Sequence, residues 1–321
     1  MDQPVYLDII GRGLAWLAAE QTGTGEFLTL WADNLEMRGC HPVESPFVTG
    51  WILFALGREL GEPVGTMLGR GLPFLLEKRR PGGLYAFLEK GIGPDLDDVC
   101  LLHTVLQRHL PERFAYRRVA RRIARQITAE GWFPTWIEDE LRPEDVDPVV
   151  NVNVIRFLFR NGFACSETSR WLRRVFADWS FEEGTRYYRS PFSLLYFAAL
   201  LPGKLRQQVF PPDSAFLVRR LQERVNASLS VIDEACLLLG LATLGAPRRL
   251  TTDLAERLAS RQLPEGCWPD HAVFRPLGFW SSPALSTALA VQALRKHCGA
   301  LESLSQGCTN RPAYTAEYNG A

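Results

Sequence analysis

Strongly apolar segments recur along the chain, and each is preceded by a more polar one whose apolar residues return every third or fourth position. The apolar members include PFVTGWILFALG from Pro46, VVNVNVIRFLF from Val149, PFSLLYFAALL from Pro191, ACLLLGLATLGA from Ala235 and PALSTALAVQAL from Pro283. Segments that are apolar nearly all round are helices enclosed on every side. The preceding members, over 4–20, 66–79, 113–127, 167–178, 204–223 and 250–262, are one-sided. In FAYRRVARRIARQ, from Phe114, the residues Arg117, Arg121 and Arg125 share one face, which reads as solvated.

The helix starts are written alike. Ser45-Pro46, Asp147-Pro148, Ser190-Pro191 and Ser282-Pro283 each set a capping residue before a proline suited to the first helical position. DLDD at Asp95 and SLSVIDEACLLLGLATLG at Ser228 open two more. Starts spaced by roughly 40 to 52 residues fit repeated helix pairs. Strand signals are scarce. The pattern therefore predicts an all-α fold, an α6/α6 toroid with an inner ring of apolar helices inside an outer amphipathic ring. It spans 1–300 as one domain, with 301–321 as a C-terminal tail. Inner-to-outer connections are short (LPGK at Leu201, RNGFACSE at Arg160), whereas 21–44, 80–94 and 130–146 are long. Long loops in a compact domain build sites, which places the functional face at the mouth where inner helices begin.

Composition narrows the function classes. Lysine plus arginine and aspartate plus glutamate each number 36, so no net field draws nucleic acid or an anionic membrane. No apolar run reaches the roughly 18 to 20 residues of a membrane span, and the N-terminus has no basic segment leading into an apolar core. The seven cysteines are isolated, with no Cys-x-x-Cys pair, which argues against a disulfide framework or zinc ribbon and for a reducing cytoplasm. No serine-centred elbow, phosphate loop or dinucleotide fingerprint is present, and no redox cofactor is implied.

Carboxyl groups concentrate at the expected mouth. Asp95, Asp97 and Asp98 open the second inner helix. Crowding and burial raise the pKa of such acids, while a helix N-terminus stabilises the anion. The cluster is thus either a helix cap with extra charge or an acid assembled to move a proton. In EDELRPEDVDPVVNVNV, from Glu138, Asp147 is a cap; Asn151, one turn below, is expected to face the lumen with it, and Asn153 to point elsewhere. Asp233 and Glu234 lie in the first turn of the fifth inner helix. Ring faces stabilise positive charge, and the aromatics of inner helices and mouth loops include Trp136 and Tyr187. Trp51, Trp132, Tyr188, Tyr196 and Trp280 are the leading candidates to line a cavity and contact substrate.

A Gly-aromatic signature recurs in the loops: EQTGTGEF, RRPGGLYAF, RQITAEGWFPTW, FEEGTRYY and RQLPEGCWPD. It resembles the glutamine-tryptophan repeats of squalene-hopene and oxidosqualene cyclases and, more loosely, the repeats of protein prenyltransferase β subunits, families built on the α6/α6 toroid. The resemblance runs from Ala18 to Leu294. Asp95-Leu96-Asp97-Asp98 is similar to the Asp-x-Asp-Asp of class II terpene cyclases, followed here by Val99-Cys100 where those enzymes often have Thr-Ala. The resemblance implies proton-initiated cyclisation of a polyene or prenylated, isoprenoid-like small molecule. Asp97 would be the proton donor, Asp95 and Asp98 would tune it, and Asp147 and Asn151 would orient it or bind substrate. Bacterial squalene cyclases carry a second helical domain over the cavity; here a homodimer or partner chain would take that place.

Asp98-Val99-Cys100 also has the form of the zinc motif of prenyltransferase β subunits, with His271 on a mouth loop. The magnesium-binding Asp-Asp-x-x-Asp of class I synthases is missing. No cofactor is expected: zinc is not anticipated, and magnesium would enter only with a diphosphate substrate. The alternatives are a non-catalytic, cavity-bearing binding or accessory protein on the same toroid, and a hydrolase or lyase using Asp97 and Asp147 as paired carboxylates.

Overall fold

Burial sorts the helices into two rings. The computed structural model describes residues 3–57, 61–137, 144–178, 184–225, 227–275 and 277–309. Each outer helix is followed by an inner one: α1 (Gln3–Glu20) by α2 (Pro46–Leu56), α3 (Val64–Glu77) by α4 (Leu96–His109), α5 (Tyr116–Ala124) by α6 (Pro148–Arg160), α7 (Ser166–Asp178) by α8 (Phe192–Ala199), α9 (Gly203–Val209) and α10 (Ser214–Arg224) by α11 (Val231–Thr243), and α12 (Arg248–Ser260) by α13 (Pro283–Thr309). Helices α2, α4, α6, α8, α11 and α13 pack in that order, and α13 returns to α2, which closes the inner ring. Every residue of α2 is buried, as its all-round apolar sequence requires. Arg117, Arg121 and Arg125 are exposed on the outer ring. The chain is an α6/α6 toroid.

Two departures from the sequence pattern have local causes. The fifth outer helix is broken at Pro211-Pro212, because a proline ring clashes with the preceding turn; α10 restarts with Asp213 accepting the Ala215 N–H at 3.0 Å. A small antiparallel sheet of β1 (Thr29–Ala32), β2 (His41–Val43) and β3 (Phe279–Ser281), ordered β2-β1-β3, lies at the mouth. Strands of three and four residues carry too little alternation to be legible in sequence. Pairing Leu30 with Ser281 ties the loop before the first inner helix to the loop before the last. Helix α13 continues to Thr309, and 310–321 lie outside the described residues.

The Gly-aromatic signature is a joint between rings. Gly25, Gly131 and Gly266 take φ of +93°, +88° and +101°, a turn that only glycine enters freely, and a β carbon on Gly266 would approach the Arg12 carbonyl oxygen to 2.8 Å. The residue two beyond each glycine, Phe27, Phe133 or Trp268, is fully buried. Its backbone N–H is caught by a polar side chain in the following inner helix: Thr49 (2.9 Å), Asn151 (2.9 Å) and Thr287 (3.2 Å) respectively. Gln21 and Gln262 finish the joint, donating to the Met67 and Ile9 carbonyls at 3.0 and 2.8 Å and so pinning one outer helix to the next.

Inner helices approach closely where they carry glycine. A β carbon on Gly50 of α2 would be driven into the Leu102 side chain of α4, and one on Gly240 of α11 into Leu195 of α8. Gly50→Ala is expected to destabilise by about 1–3 kcal/mol through overpacking, despite alanine's better helix propensity. Chemical denaturation checks this, and a variant as stable as the parent would mean that α2 and α4 are not locked at that crossing.

Candidate active site

Backbone pairing sets the mouth loops around a hollow. The Leu96 N–H donates to the Thr135 carbonyl at 2.8 Å and the Ile137 N–H to that of Pro94 at 3.2 Å, which seats Trp136 beside Asp95. On the opposite side the Arg189 N–H donates to the Val273 carbonyl and the Arg275 N–H to that of Tyr187, both at 2.9 Å, which seats Tyr188 against Phe274. A cavity of about 270 Å³ lies between them. Asp95, Asp97, Asp98 and Tyr188 form its acidic wall, the rings of Phe47, Phe87, Phe274 and Trp280 pack edge to face on its apolar side, and Thr135, Trp136, Asp145 and Tyr187 make its polar side.

Asp97 sits where these surfaces meet. Its Oδ1 accepts from Asn153 Nδ2 at 2.7 Å, and its Oδ2 accepts from the Tyr188 hydroxyl in a short hydrogen bond. Burial and then the charge of Asp95 push its pKa up to about 7, against the two donors, which pull it down. Asp95 caps α4, accepting the Asp98 N–H at 2.8 Å, and burial pushes it to about 6. Asp98 is raised well above the usual carboxylate range by burial and by the charge of Asp95. Desolvation therefore outweighs the helix N-terminus.

Behind Asp97 stands a buried cation. Arg156 is 2% exposed and donates to Asn153 Oδ1 and to the Phe197 carbonyl in short hydrogen bonds, with its guanidinium 4.8 Å from the Phe54 ring centre and 5.5 Å from that of Phe197. Burial pulls its pKa down to about 9. Arginine has only donors, so the Asn153 oxygen is committed to it and the Asn153 amide N–H must face Asp97. The anion of Asp97 thus has two donors waiting before any proton leaves.

No family model matches the sequence, and no curated protein is similar to it. Solved structures are similar in shape. Type II terpene cyclase MstE from Scytonema superposes with a TM-score of 0.72 at 15% identity, covering 94% of this chain and 100% of that one. The chain has the type II terpene cyclase fold. MstE has also been solved with geranylgeranyl dihydroxybenzoate as substrate and with merosterolic acid A as product. A protein from Actinoplanes matches at TM-score 0.65 and 16% identity, over 91% of this chain and 99% of its own. The ent-copalyl diphosphate synthase from Streptomyces platensis matches at 0.56 and 16%, over 79% of this chain and 50% of its own.

Of the residues singled out in sequence, Asp95, Asp97, Asp98, Tyr188 and Trp280 share the cavity wall. Trp51 and Tyr196 form a layer behind it: the Trp51 ring meets Tyr188 and Phe274, each at 5.8 Å, and the Tyr196 hydroxyl donates to Gln292 at 2.7 Å. Asp147 caps α6 through the Val149 N–H (2.7 Å) and takes the Tyr187 N–H (3.2 Å), and burial raises its pKa. The expectation for the two asparagines is reversed. Asn151 is spent on both backbone groups of Phe133, and it is Asn153 that reaches Asp97. The lumen face of α6 runs through Val150, Asn153 and Arg156, and the i, i+3 spacing of two polar residues in an apolar helix was the available signal. Trp132 is also placed elsewhere, against Trp171 at 5.6 Å in a separate outer groove, because it follows its glycine by one residue rather than two.

The remaining candidates are structural or apart. Asp233 completes a capping box with Ser230 and accepts from the Ser190 hydroxyl at 2.5 Å; Glu234 pairs with Arg257 at 2.7 Å and Arg261 at 3.3 Å. His271 lines a neighbouring pocket with Asp233, so the residues of the zinc motif are not gathered with it around one point. Among the described residues no group of three or more His, Cys, Asp or Glu side chains is placed to hold a metal ion. Glu138, Asp139 and Glu140 of the acidic loop lie outside the described residues. No described helix is long and apolar enough to cross a membrane.

Proposed function

We propose that the protein is a class II terpene cyclase-like enzyme that protonates the terminal alkene of a polyene or prenylated substrate and cyclises it. Asp97 carries this reading: a carboxyl pushed up to about 7, opening on a mostly apolar, ring-lined cavity, with Tyr188 and Asn153 bonded to its oxygens. As the acid O–H bond breaks, a C–H bond forms at the alkene and leaves a tertiary cation. The π electrons of the next alkene close a ring C–C bond and carry the charge onward, past the faces of Phe274 and Trp280. Loss of a proton from the last cation, or its capture by a hydroxyl group, ends the sequence. The donors on Asp97 do most of their work as negative charge develops, which is the condition for lowering the barrier. The negative charge of Asp95 favours the protonated form of Asp97. The fold shared with MstE, which takes a geranylgeranyl dihydroxybenzoate, supports a prenylated substrate.

The test is a panel of linear prenyl alcohols, phenols, hydrocarbons and diphosphates incubated in D2O. A cyclic product carrying one deuterium at the protonated alkene carbon is expected, and cyclic product without deuterium, or none from any substrate, rejects the reading. Because only protonated Asp97 can act, the rate is expected to fall as pH rises through about 7, the limb read from a pH–kcat profile.

A further inference from the structure

Two buried oxygens on the polar side of the cavity lack partners. Thr135 and Asp145 are 3% and 4% exposed, and neither Thr135 Oγ1 nor Asp145 Oδ1 has a hydrogen bond. They are neighbours, since the Thr135 N–H donates to the Asp145 carbonyl at 2.7 Å, and both residues line the cavity. The other carboxylate oxygen of Asp145 is saturated. It accepts from the Tyr187 hydroxyl at 2.6 Å and Trp136 Nε1 at 3.0 Å, and pairs with Arg186 Nε at 3.3 Å. A fold that brings three donors to one oxygen and none to the other has left a position to be filled, because an unpaired buried acceptor is costly.

From this juxtaposition we infer that the polar side of the cavity recognises a head group that donates hydrogen bonds, so that the prenyl substrate ends in a hydroxyl, phenol or N–H group and not in a diphosphate. The inference rests on the cyclase reading above. Asp145 accepts the donor, and the Thr135 hydroxyl, which can give or take a hydrogen bond, holds the same head group. The Trp136 and Tyr187 rings pack edge to face on this side of the cavity, 6.2 Å apart and inclined at 79°. A diphosphate would set its charge against Asp145. The arginines nearby are engaged: Arg186 with Asp145, and Arg275 with the Thr185 carbonyl through Nε (3.2 Å) and Nη2 (2.8 Å).

The experiment is calorimetric binding to the full chain of ligands with a saturated prenyl chain, which cannot be protonated and cyclised. The chain is attached in turn to a phenol, the phenol's methyl ether, an aliphatic alcohol and a diphosphate. The phenol or the alcohol is expected to bind at least ~10-fold more tightly than the ether and the diphosphate, in line with a hydrogen bond to a charged group; which of the two wins separates aromatic from aliphatic heads. Asp145→Asn keeps an oxygen for Trp136 and Tyr187 but turns the open acceptor into a donor, which the phenol and ether oxygens can both accept, so it should erase the preference of the phenol over the ether. Thr135→Val should weaken the phenol several-fold and provides a second reading should Asp145→Asn unfold. Diphosphate binding tightest, phenol and ether binding equally, or no ligand binding at all overturns the inference. Head-group discrimination without any cyclisation of the unsaturated substrates would sink the cyclase reading alone; cyclisation without discrimination would sink this inference alone.

Discussion

Asp97→Asn is expected to lower cyclisation on the order of 10³-fold or more while leaving the protein folded. Asparagine keeps the shape and nearly all the bonding. The Asn153 amide must donate, because Arg156 fixes its orientation, so the new side chain turns its oxygen to Asn153 and its N–H to Tyr188, whose hydroxyl can accept. Only the transferable proton is lost. Stability should move the other way. The Asp97 pKa is raised in the folded state, so the native protein holds a proton that the unfolded chain releases near pH 4. The resulting stabilisation is complete below the unfolded value and is lost as pH rises through about 7, beyond which a buried anion costs on the order of a few kcal/mol. Asp97→Asn is therefore expected to match the parent's melting temperature at pH 4 and to exceed it at pH 8. Product analysis and thermal melts at the two pH values check both halves. Full activity in the variant would remove Asp97 from the mechanism, and a melting difference independent of pH would mean that its burial carries no titration penalty.

The second large effect belongs to Arg156. Replacing it by methionine keeps most of the volume but strands the Phe197 carbonyl and the Asn153 oxygen, at a cost of about 2–4 kcal/mol. Asn153→Leu does worse. It leaves a guanidinium 2% exposed without that acceptor, and an unmet hydrogen bond on a buried charged group costs more than one on a neutral group. The double variant should be less destabilised than the sum, because the second change removes the charge that the first one strands. In Arg156→Met the freed Asn153 amide can rotate its oxygen toward Asp97, so the acid weakens: its titration moves above about 7, the alkaline limb of the rate profile follows, and kcat falls by about 10–100-fold. Denaturant titrations of the cycle and the infrared band of the Asp97 carboxylic acid read these without a substrate. Additive energies together with an unmoved carboxylic-acid titration would show that Arg156 only fills space.

How far the sequence reaches can be judged at α6. Its start at Asp147-Pro148, its burial and its place in the inner ring followed from the cap, the proline and the run of valines, all of them local signals. Which asparagine meets Asp97 did not, since Asn151 and Asn153 lie about 200° apart around the helix and a buried helix offers no solvated face from which to measure its phase. Trp132 failed in the same way. The signature fixed a glycine turn, but only the partners in the next helix show that the aromatic two residues on enters the core.

Hydrophobic periodicity, proline-capped starts and the spacing of the pairs determined the double ring, and the crowding of Asp95, Asp97 and Asp98 at one start determined where an acid could be made. Those are properties of neighbouring residues, and neighbours are what a chain order records. The tertiary structure alone decided which side of the acid is dry, which donors touch it and where a cation stands behind it. Asn153 lies 56 positions and Tyr188 lies 91 positions from Asp97 along the chain, and an acid's pKa answers to distance in space.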